Sequence, residues 1–152
     1  KIFKLDLFNG VVPVRFPKGR VQEDNFTIFM LFLNANSIVT VNEPLYYYVQ
    51  RAGSIMATFT RRFMIDTIES HIYMSDYLMN HCSSVKNELQ LYLLNSYVEL
   101  SRRVCANKCK KEYNDLLIQY KHYVLDHTAD TSHNPMWKCK QYIKRLLVKL
   151  YY

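Results

Sequence analysis

Glycine is scarce in this chain, with 3 glycines among 152 residues. Because glycine supplies the backbone conformations that tight turns need, its scarcity favours long helices and argues against a loop-rich or propeller-like fold. The hydrophobic fraction of 49% is sufficient for the chain to bury a core. The length suits one domain or a piece of a larger one, and since the first residues already read as the middle of a domain, we expect a fragment of a longer protein.

From Thr58 onward, apolar residues recur at the three- and four-residue spacing of amphipathic helices. The pattern predicts about four helices, which fall at residues 58–78, 89–104, 113–124 and 136–152. Residues 58–152 are therefore predicted to form a helical C-terminal subdomain.

Residues 1–57 read as a mixed α/β region. Residues 23–36 predict a buried helix, and because its apolar residues cover nearly all faces, other elements should enclose it. The β-branched and aromatic residues of 38–41 and 45–49 predict two short strands. Since successive side chains of a strand point to opposite faces, at least one of the tyrosines at 46–48 should pack in the core. The predicted fold class is α+β and mainly α.

The chain carries 20 Lys and Arg residues against 13 Asp and Glu residues, which gives a net charge of +7. This excess favours anionic partners such as phosphates, nucleic acid or an anionic membrane surface. No apolar run approaches the roughly 20 residues that a membrane-spanning helix needs, and no signal-peptide pattern is present. The four cysteines include no C-x-x-C pair, so we interpret them as reduced thiols of a cytoplasmic protein.

The sequence offers little support for a metal site or a nucleophilic catalyst. Cys105 and Cys109 lie four residues apart and share a helix face, as metal ligands can. The histidines show no complementary spacing, and no nucleophile motif such as G-x-S-x-G appears. We therefore expect no metal site in this chain.

Two acids, Glu23 and Asp24, stand at the start of the helix predicted over residues 23–36. One interpretation is structural, because acids in a first turn accept free backbone N–H groups and interact favourably with the helix dipole. The other is functional, because a partly desolvated carboxylate at the rim of a pocket can take a proton from an attacking hydroxyl. The residues of the helix alone leave both interpretations open.

Three short motifs flank this pair of acids. An F-P-x-G turn at Phe16–Gly19 precedes the acids, and N-E-P-L-Y-Y-Y at Asn42–Tyr48 and R-x-G-S-I at Arg51–Ile55 follow them. In this order the motifs resemble those of the family 2 glycosyltransferases, inverting enzymes with the GT-A fold, and particularly members that build bacterial polysaccharides and surface glycans. The resemblance covers about the first 57 residues. It implies that residues 1–57 are the C-terminal, acceptor-side part of a GT-A catalytic domain.

The resemblance also implies a role for each matched residue. Asp24 would be the general base that deprotonates an acceptor sugar hydroxyl, which then attacks the anomeric carbon of a nucleotide-sugar and inverts it. Glu23 would support the acceptor or the start of the helix. A loop would close over the donor diphosphate, and it comprises Gln50, Arg51, Gly53 and Ser54. The alternative for Arg51 is an ordinary solvated surface charge.

The donor side of such an enzyme is absent from this sequence. Members of the family carry an Asp-x-Asp metal motif in an N-terminal nucleotide-binding half, and this chain has no Asp-x-Asp. The resemblance therefore implies a divalent metal, Mn or Mg, in the full-length enzyme and none in this chain. It implies a nucleotide-sugar donor and a glycan or lipid-linked acceptor as substrates. The chain alone should be an inactive part of a hexosyltransferase-like enzyme.

The C-terminal stretch 137–152 predicts an amphipathic helix with an apolar face and a basic face. One interpretation is peripheral contact with the inner face of the cytoplasmic membrane, because basic residues and interfacial aromatic rings suit an anionic bilayer. The other is a helix docked on the bundle with its basic face in solvent.

A different class of function is also open. The charge of +7 equally suits a basic helical binding module for nucleic acid, an anionic membrane or a protein partner. We expect no nucleic acid partner, because no recognition motif is visible and the basic residues are spread along the chain. A purely structural helical domain would leave the stretches QEDNFTIF and QRAGSI unexplained.

Overall fold

The computed structural model describes residues 1–10, 12–49, 51, 53–54, 58–128 and 143–149. Its internal contacts divide the chain into two compact units, Lys1–Ser70 (unit 1) and His71–Tyr152 (unit 2). The predicted functional boundary between residues 57 and 58 stays a prediction.

The described residues are mostly helical, which confirms the predicted mainly α fold. The helices are α1 (Glu23–Leu33), α2 (Arg61–His81), α3 (Lys86–Ala106), α4 (Lys110–His127) and α5 (residues 143–149). Short 3₁₀ turns occur at Leu5–Phe8 and Ser83–Val85. Helices α2 to α5 correspond to the four helices predicted after Thr58, although residues 136–142 and 150–152 of the last one lie outside the described residues.

The core of unit 2 follows the predicted periodicity. Helices α3 and α4 pack against each other, and their buried residues recur at three- and four-residue spacing. These residues are Leu89, Leu93, Leu94, Tyr97, Leu100 and Val104 on α3, and Tyr113, Leu117, Tyr120 and Val124 on α4. Since burying one large apolar side chain contributes about 1.5–3 kcal/mol, this stripe is the main source of stability within unit 2.

Helix α1 is not enclosed on all sides, and that prediction was wrong. Its buried residues are Thr27, Met30 and Leu31, which share one helix face because they lie three and four positions apart. Phe32 and Leu33 are 39% and 45% exposed. An apolar composition on every face therefore does not mean that every face has a packing partner within unit 1.

The two predicted strands, 38–41 and 45–49, are also wrong, because both segments are irregular. Their large apolar side chains are exposed, and Tyr47 reaches 88%. All three tyrosines at 46–48 are exposed, so the prediction that at least one of them packs in the core was wrong. β-branched and aromatic residues favour a strand where a neighbouring strand pairs with it and one face is buried, and no described segment provides such a partner.

Candidate functional site

The turn that leads into α1 is built on two residues with positive φ. Gly19, which ends the F-P-x-G motif, has φ of 77°, a conformation that glycine adopts at little cost. Gln22, directly before the helix, has φ of 61° and ψ of 40°, which is uncommon for a residue with a side chain. The chain therefore changes direction twice within four residues before it presents Glu23 and Asp24.

The backbone between Gly19 and Gln22 is hydrogen-bonded to a buried carboxylate of α2. Asp66, whose side chain is 0% exposed, accepts hydrogen bonds from Val21 N–H and Arg62 Nε at Oδ2, at 2.8 and 2.9 Å. Its Oδ1 accepts from Arg20 Nη1 at 2.8 Å. Arg20 Nη1 also pairs with Glu69. Asp66 and the three residues that donate to it, 20, 21 and 62, are called the Asp66 cluster below.

The donors of the Asp66 cluster decide the charge of its central carboxylate. Burial by itself raises the pKa of Asp66, but the hydrogen bonds from Val21, Arg20 and Arg62 outweigh it and hold the pKa below its usual value. The side chain is therefore a carboxylate at neutral pH. A buried carboxylate is costly unless donors surround it, and here each oxygen has at least one.

The two predicted site acids lie in the first turn of α1 and are exposed. Asp24 Oδ1 accepts the N–H of Asn25 at 3.0 Å, while Oδ2 has no hydrogen bond from the described residues. Among the described residues, the Glu23 side chain has no hydrogen bond, and the backbone carbonyl of Glu23 accepts from the Thr27 hydroxyl at 2.9 Å. The N–H of Asn25 also donates to Gln22 O at 3.1 Å, so Asp24 shares this backbone donor of the helix start and keeps one oxygen for another partner. The two sequence interpretations therefore remain compatible for this residue.

The predicted donor loop forms a separate turn. Ser54 N–H donates to Arg51 O at 3.3 Å, and Gly53 has φ of 78° at the third position of this turn, where glycine is favoured. Arg51 and Ser54 are exposed. Gln50 lies outside the described residues. Among the described residues, no hydrogen bond or ion pair joins this turn to the two acids of α1.

Sequence reasoning did not identify Asp66 or its partners. The signal was present, because Asp66 lies three residues after Phe63 and two residues after Met64, on the buried side of α2. A charged residue on an apolar helix face is rarely buried unless it is paired. Arg62, four residues earlier on the same helix, supplies part of that pairing.

Unit 2 has a buried polar group of a different kind. His71 Nδ1 lies 2.9 Å from the hydroxyl of Tyr120, and its ring packs edge-on against Tyr92 with centroids 5.4 Å apart. Burial lowers the pKa of His71 to about 4, because the imidazolium form would lose its hydration. His71 is therefore neutral at physiological pH. Burial also raises the pKa of Tyr120 well above its usual value.

Helix α5 contacts the end of α4. The Arg145 guanidinium donates to Leu125 O at 3.1 Å and to the Thr128 hydroxyl at 2.9 Å, which places a cation on the carbonyl end of the helix, where the dipole favours it. Val148 is buried, whereas Ile143 and Leu146 of the predicted apolar face are 52% and 44% exposed. These contacts are those that the docked interpretation expects, and membrane contact through 137–152 stays a proposal.

The described ranges contain no set of three or more His, Cys, Asp and Glu side chains placed to hold a metal ion. Within the same ranges, no helix combines the length and apolar character that crossing a membrane requires.

Comparison with known proteins points to one class of enzyme. The chain is 43% identical over 58 residues to glycosyltransferase GlyG of Streptococcus pneumoniae serotype 4. The match covers 38% of this chain and 18% of that relative, so the chain spans less than a fifth of the length of the protein it resembles. No protein-family model and no solved structure matches the chain. Part of this chain is thus similar to part of a glycosyltransferase, in agreement with the predicted class.

Proposed function

We propose that this chain is the acceptor-side part of an inverting family 2 glycosyltransferase with the GT-A fold. The enzyme moves a sugar from a nucleotide-sugar to a glycan or lipid-linked acceptor. One observation carries the proposal: Asp24 lies exposed at the start of α1, with one carboxylate oxygen engaged by Asn25 N–H and the other available to a ligand. The similarity to a glycosyltransferase over 58 residues supports the class.

In the proposed reaction, Asp24 accepts the proton of the attacking acceptor hydroxyl. The acceptor oxygen forms a bond to the anomeric carbon of the donor, and the bond from that carbon to the diphosphate oxygen breaks. The nucleoside diphosphate leaves with the electron pair, so the configuration at the anomeric carbon inverts. Glu23, exposed beside Asp24, supports the acceptor or the helix start.

The turn at residues 51–54 is proposed to contact the donor diphosphate. Arg51 is exposed and offers donors suited to phosphate oxygens, and Gly53 allows the backbone to bend at φ of 78°. Gln50 and Ser54 complete the proposed loop. No described side chains form a metal set, so a Mn or Mg ion of the longer enzyme would depend on residues other than the described ones. None of the steps above passes through such an ion.

The proposal is tested with the longer protein that contains this chain, supplied with a panel of uridine and guanosine diphosphate sugars and a glycan acceptor extract. We expect acceptor-dependent release of the nucleoside diphosphate, and a product whose anomeric configuration, read by NMR, is opposite to that of the donor. Retention of configuration, or an absence of transfer across the panel, would contradict the proposal. Binding of nucleic acid instead would favour the basic binding module.

A further inference from the structure

Three consecutive residues before α1 are bound to α2. Gly19 O accepts from Arg62 Nη2 at 3.0 Å, Arg20 Nη1 pairs with Asp66 Oδ1 at 2.8 Å, and Val21 N–H donates to Asp66 Oδ2 at 2.8 Å. Two of these three contacts involve backbone atoms, so they fix the path of the main chain as well as the position of one side chain. The described turn therefore has little freedom to shift along α2.

The next residue, Gln22, has a backbone conformation that the contacts on either side must hold in place. Gln22 has a left-handed backbone conformation, which for a residue with a side chain persists where the surrounding structure holds it. On the C-terminal side, Asn25 holds Gln22 in this conformation, because its N–H donates to Gln22 O at 3.1 Å and its Nδ2 to Gln22 Oε1 at 2.6 Å. On the N-terminal side, Val21 N–H is bound to Asp66.

We propose that Asp66 is a positioning residue for Asp24. It is buried and does not reach a substrate, but it fixes Val21, three residues before Asp24, and with it the direction in which α1 starts. This proposal rests on the proposed function, in which Asp24 is the base. It extends the site into α2, beyond the motifs that carry the resemblance.

The substitution Asp66→Asn tests the proposal with little change in volume. Among the described residues, the hydrogen-bond partners of the carboxylate are all donors, from Arg20, Val21 and Arg62. An amide keeps one acceptor oxygen and sets an NH₂ group against a donor, so one side of the Asp66 cluster loses its bond. Glu69→Gln is the matched control, because Glu69 pairs with the same Arg20 but is 45% exposed, and among the described residues no hydrogen bond joins it to Val21.

In the longer enzyme, we expect Asp66→Asn to lower kcat by about 10- to 100-fold, since displacing a reacting group by about 1 Å can cost 10²-fold. The donor Kd should change by less than about twofold, because only acceptor-side geometry changes. Glu69→Gln should leave kcat within about twofold. An unchanged kcat in Asp66→Asn would overturn the proposal.

A double-mutant cycle with Asp24→Asn separates positioning from general destabilisation. If Asp66 acts through Asp24, Asp66→Asn should cause no further loss of kcat once Asp24 has been replaced. Independent losses that multiply would overturn the proposal. If Asp24→Asn keeps wild-type kcat, the proposed function fails, because Asp24 is then not the base. If Asp24→Asn loses kcat and Asp66→Asn does not, the base assignment stands and only the positioning role of Asp66 fails.

Amide hydrogen exchange gives a readout that does not depend on activity. In Asp66→Asn the Val21 amide should exchange faster, while the amide of Leu31, farther along α1, should keep its protection. Unchanged protection of Val21 would count against the proposal. Should Asp66→Asn fail to fold, Arg62→Gln replaces it, because Arg62 is 57% exposed and donates to both Asp66 and Gly19; a wild-type kcat in that variant would likewise overturn the proposal.

Discussion

The two units bury polar groups of opposite character. Unit 1 buries an ionised carboxylate, Asp66, under donors from the turn before α1 and from α2 itself. Unit 2 buries a neutral imidazole, His71, against the hydroxyl of Tyr120 and between packed helices. A buried charge adds little net stability over an apolar residue of similar size, whereas its directional bonds fix a backbone path. The comparison indicates that unit 1 is organised around the placement of a turn and unit 2 around helix packing.

The largest stability effect is expected in the apolar core of unit 2. Leu93 is fully buried, so Leu93→Ala should lower the free energy of unfolding by about 2–5 kcal/mol through lost burial and a residual cavity. Leu146→Ala, the same substitution at an exposed position of α5, should cost less than about 1 kcal/mol. Chemical denaturation of the chain, followed by circular dichroism, measures both. Equal losses would contradict the packing that we describe for unit 2.

The pH dependence of stability separates the two buried groups. The pKa of His71 is lowered from 6.5 to about 4 in the folded chain, so the unfolded chain binds the proton more readily. The free energy of unfolding should therefore fall as the pH drops from about 6.5 to about 4, by up to about 3 kcal/mol at 1.36 kcal/mol per pKa unit.

The variant His71→Gln should remove most of this pH dependence of the free energy of unfolding, called the slope below, because glutamine does not titrate. His122→Gln is the control, since His122 is exposed on α4, and it should leave the slope as in the wild type. A wild-type slope in His71→Gln would show that other groups cause the loss of stability in this window.

Asp66 should act in a lower pH window. Its pKa is below the usual value of 3.8, so its contribution to stability is present above that value and is lost as the pH falls through the folded pKa. The protection factor of the Val21 amide, which is the exchange rate of an unfolded chain at the same pH divided by that of this amide, should therefore fall only below about pH 4, after the His71 transition. A fall in this protection factor already between pH 6.5 and pH 4 would contradict the distinction between the two groups.

The smallest effect is expected in the irregular segment 38–49 of unit 1. Tyr47 is 88% exposed, so Tyr47→Ser should change the free energy of unfolding of this chain by no more than about 0.5 kcal/mol. Tyr113→Ser in the core of α4 should cost about 3 kcal/mol or more. A large loss from Tyr47→Ser would mean that this segment packs against the chain more closely than described.

Helical periodicity made the helices of unit 2 predictable, because the three- and four-residue spacing of apolar side chains is a local pattern that one helix carries by itself. The irregular conformation of 38–41 and 45–49 was not predictable in this way, because residues that favour a strand form one only with a pairing partner that their own sequence does not specify. The left-handed Gln22 and the contact between Val21 and Asp66 were missed for a similar reason, since residues 45 positions apart meet there. Asp24 and Arg51 were found through the order of short motifs, and their roles stay proposals.

The central claim is that Asp24, and not its neighbour, is the base. Asp24→Asn in the longer enzyme should lower kcat by about 10²- to 10⁴-fold, the usual contribution of a general base, while the Kd for the nucleotide-sugar stays nearly unchanged. Glu23→Gln, the matched change one residue earlier, should retain most of the activity. Wild-type turnover in Asp24→Asn, or an equal loss in Glu23→Gln, would contradict the account.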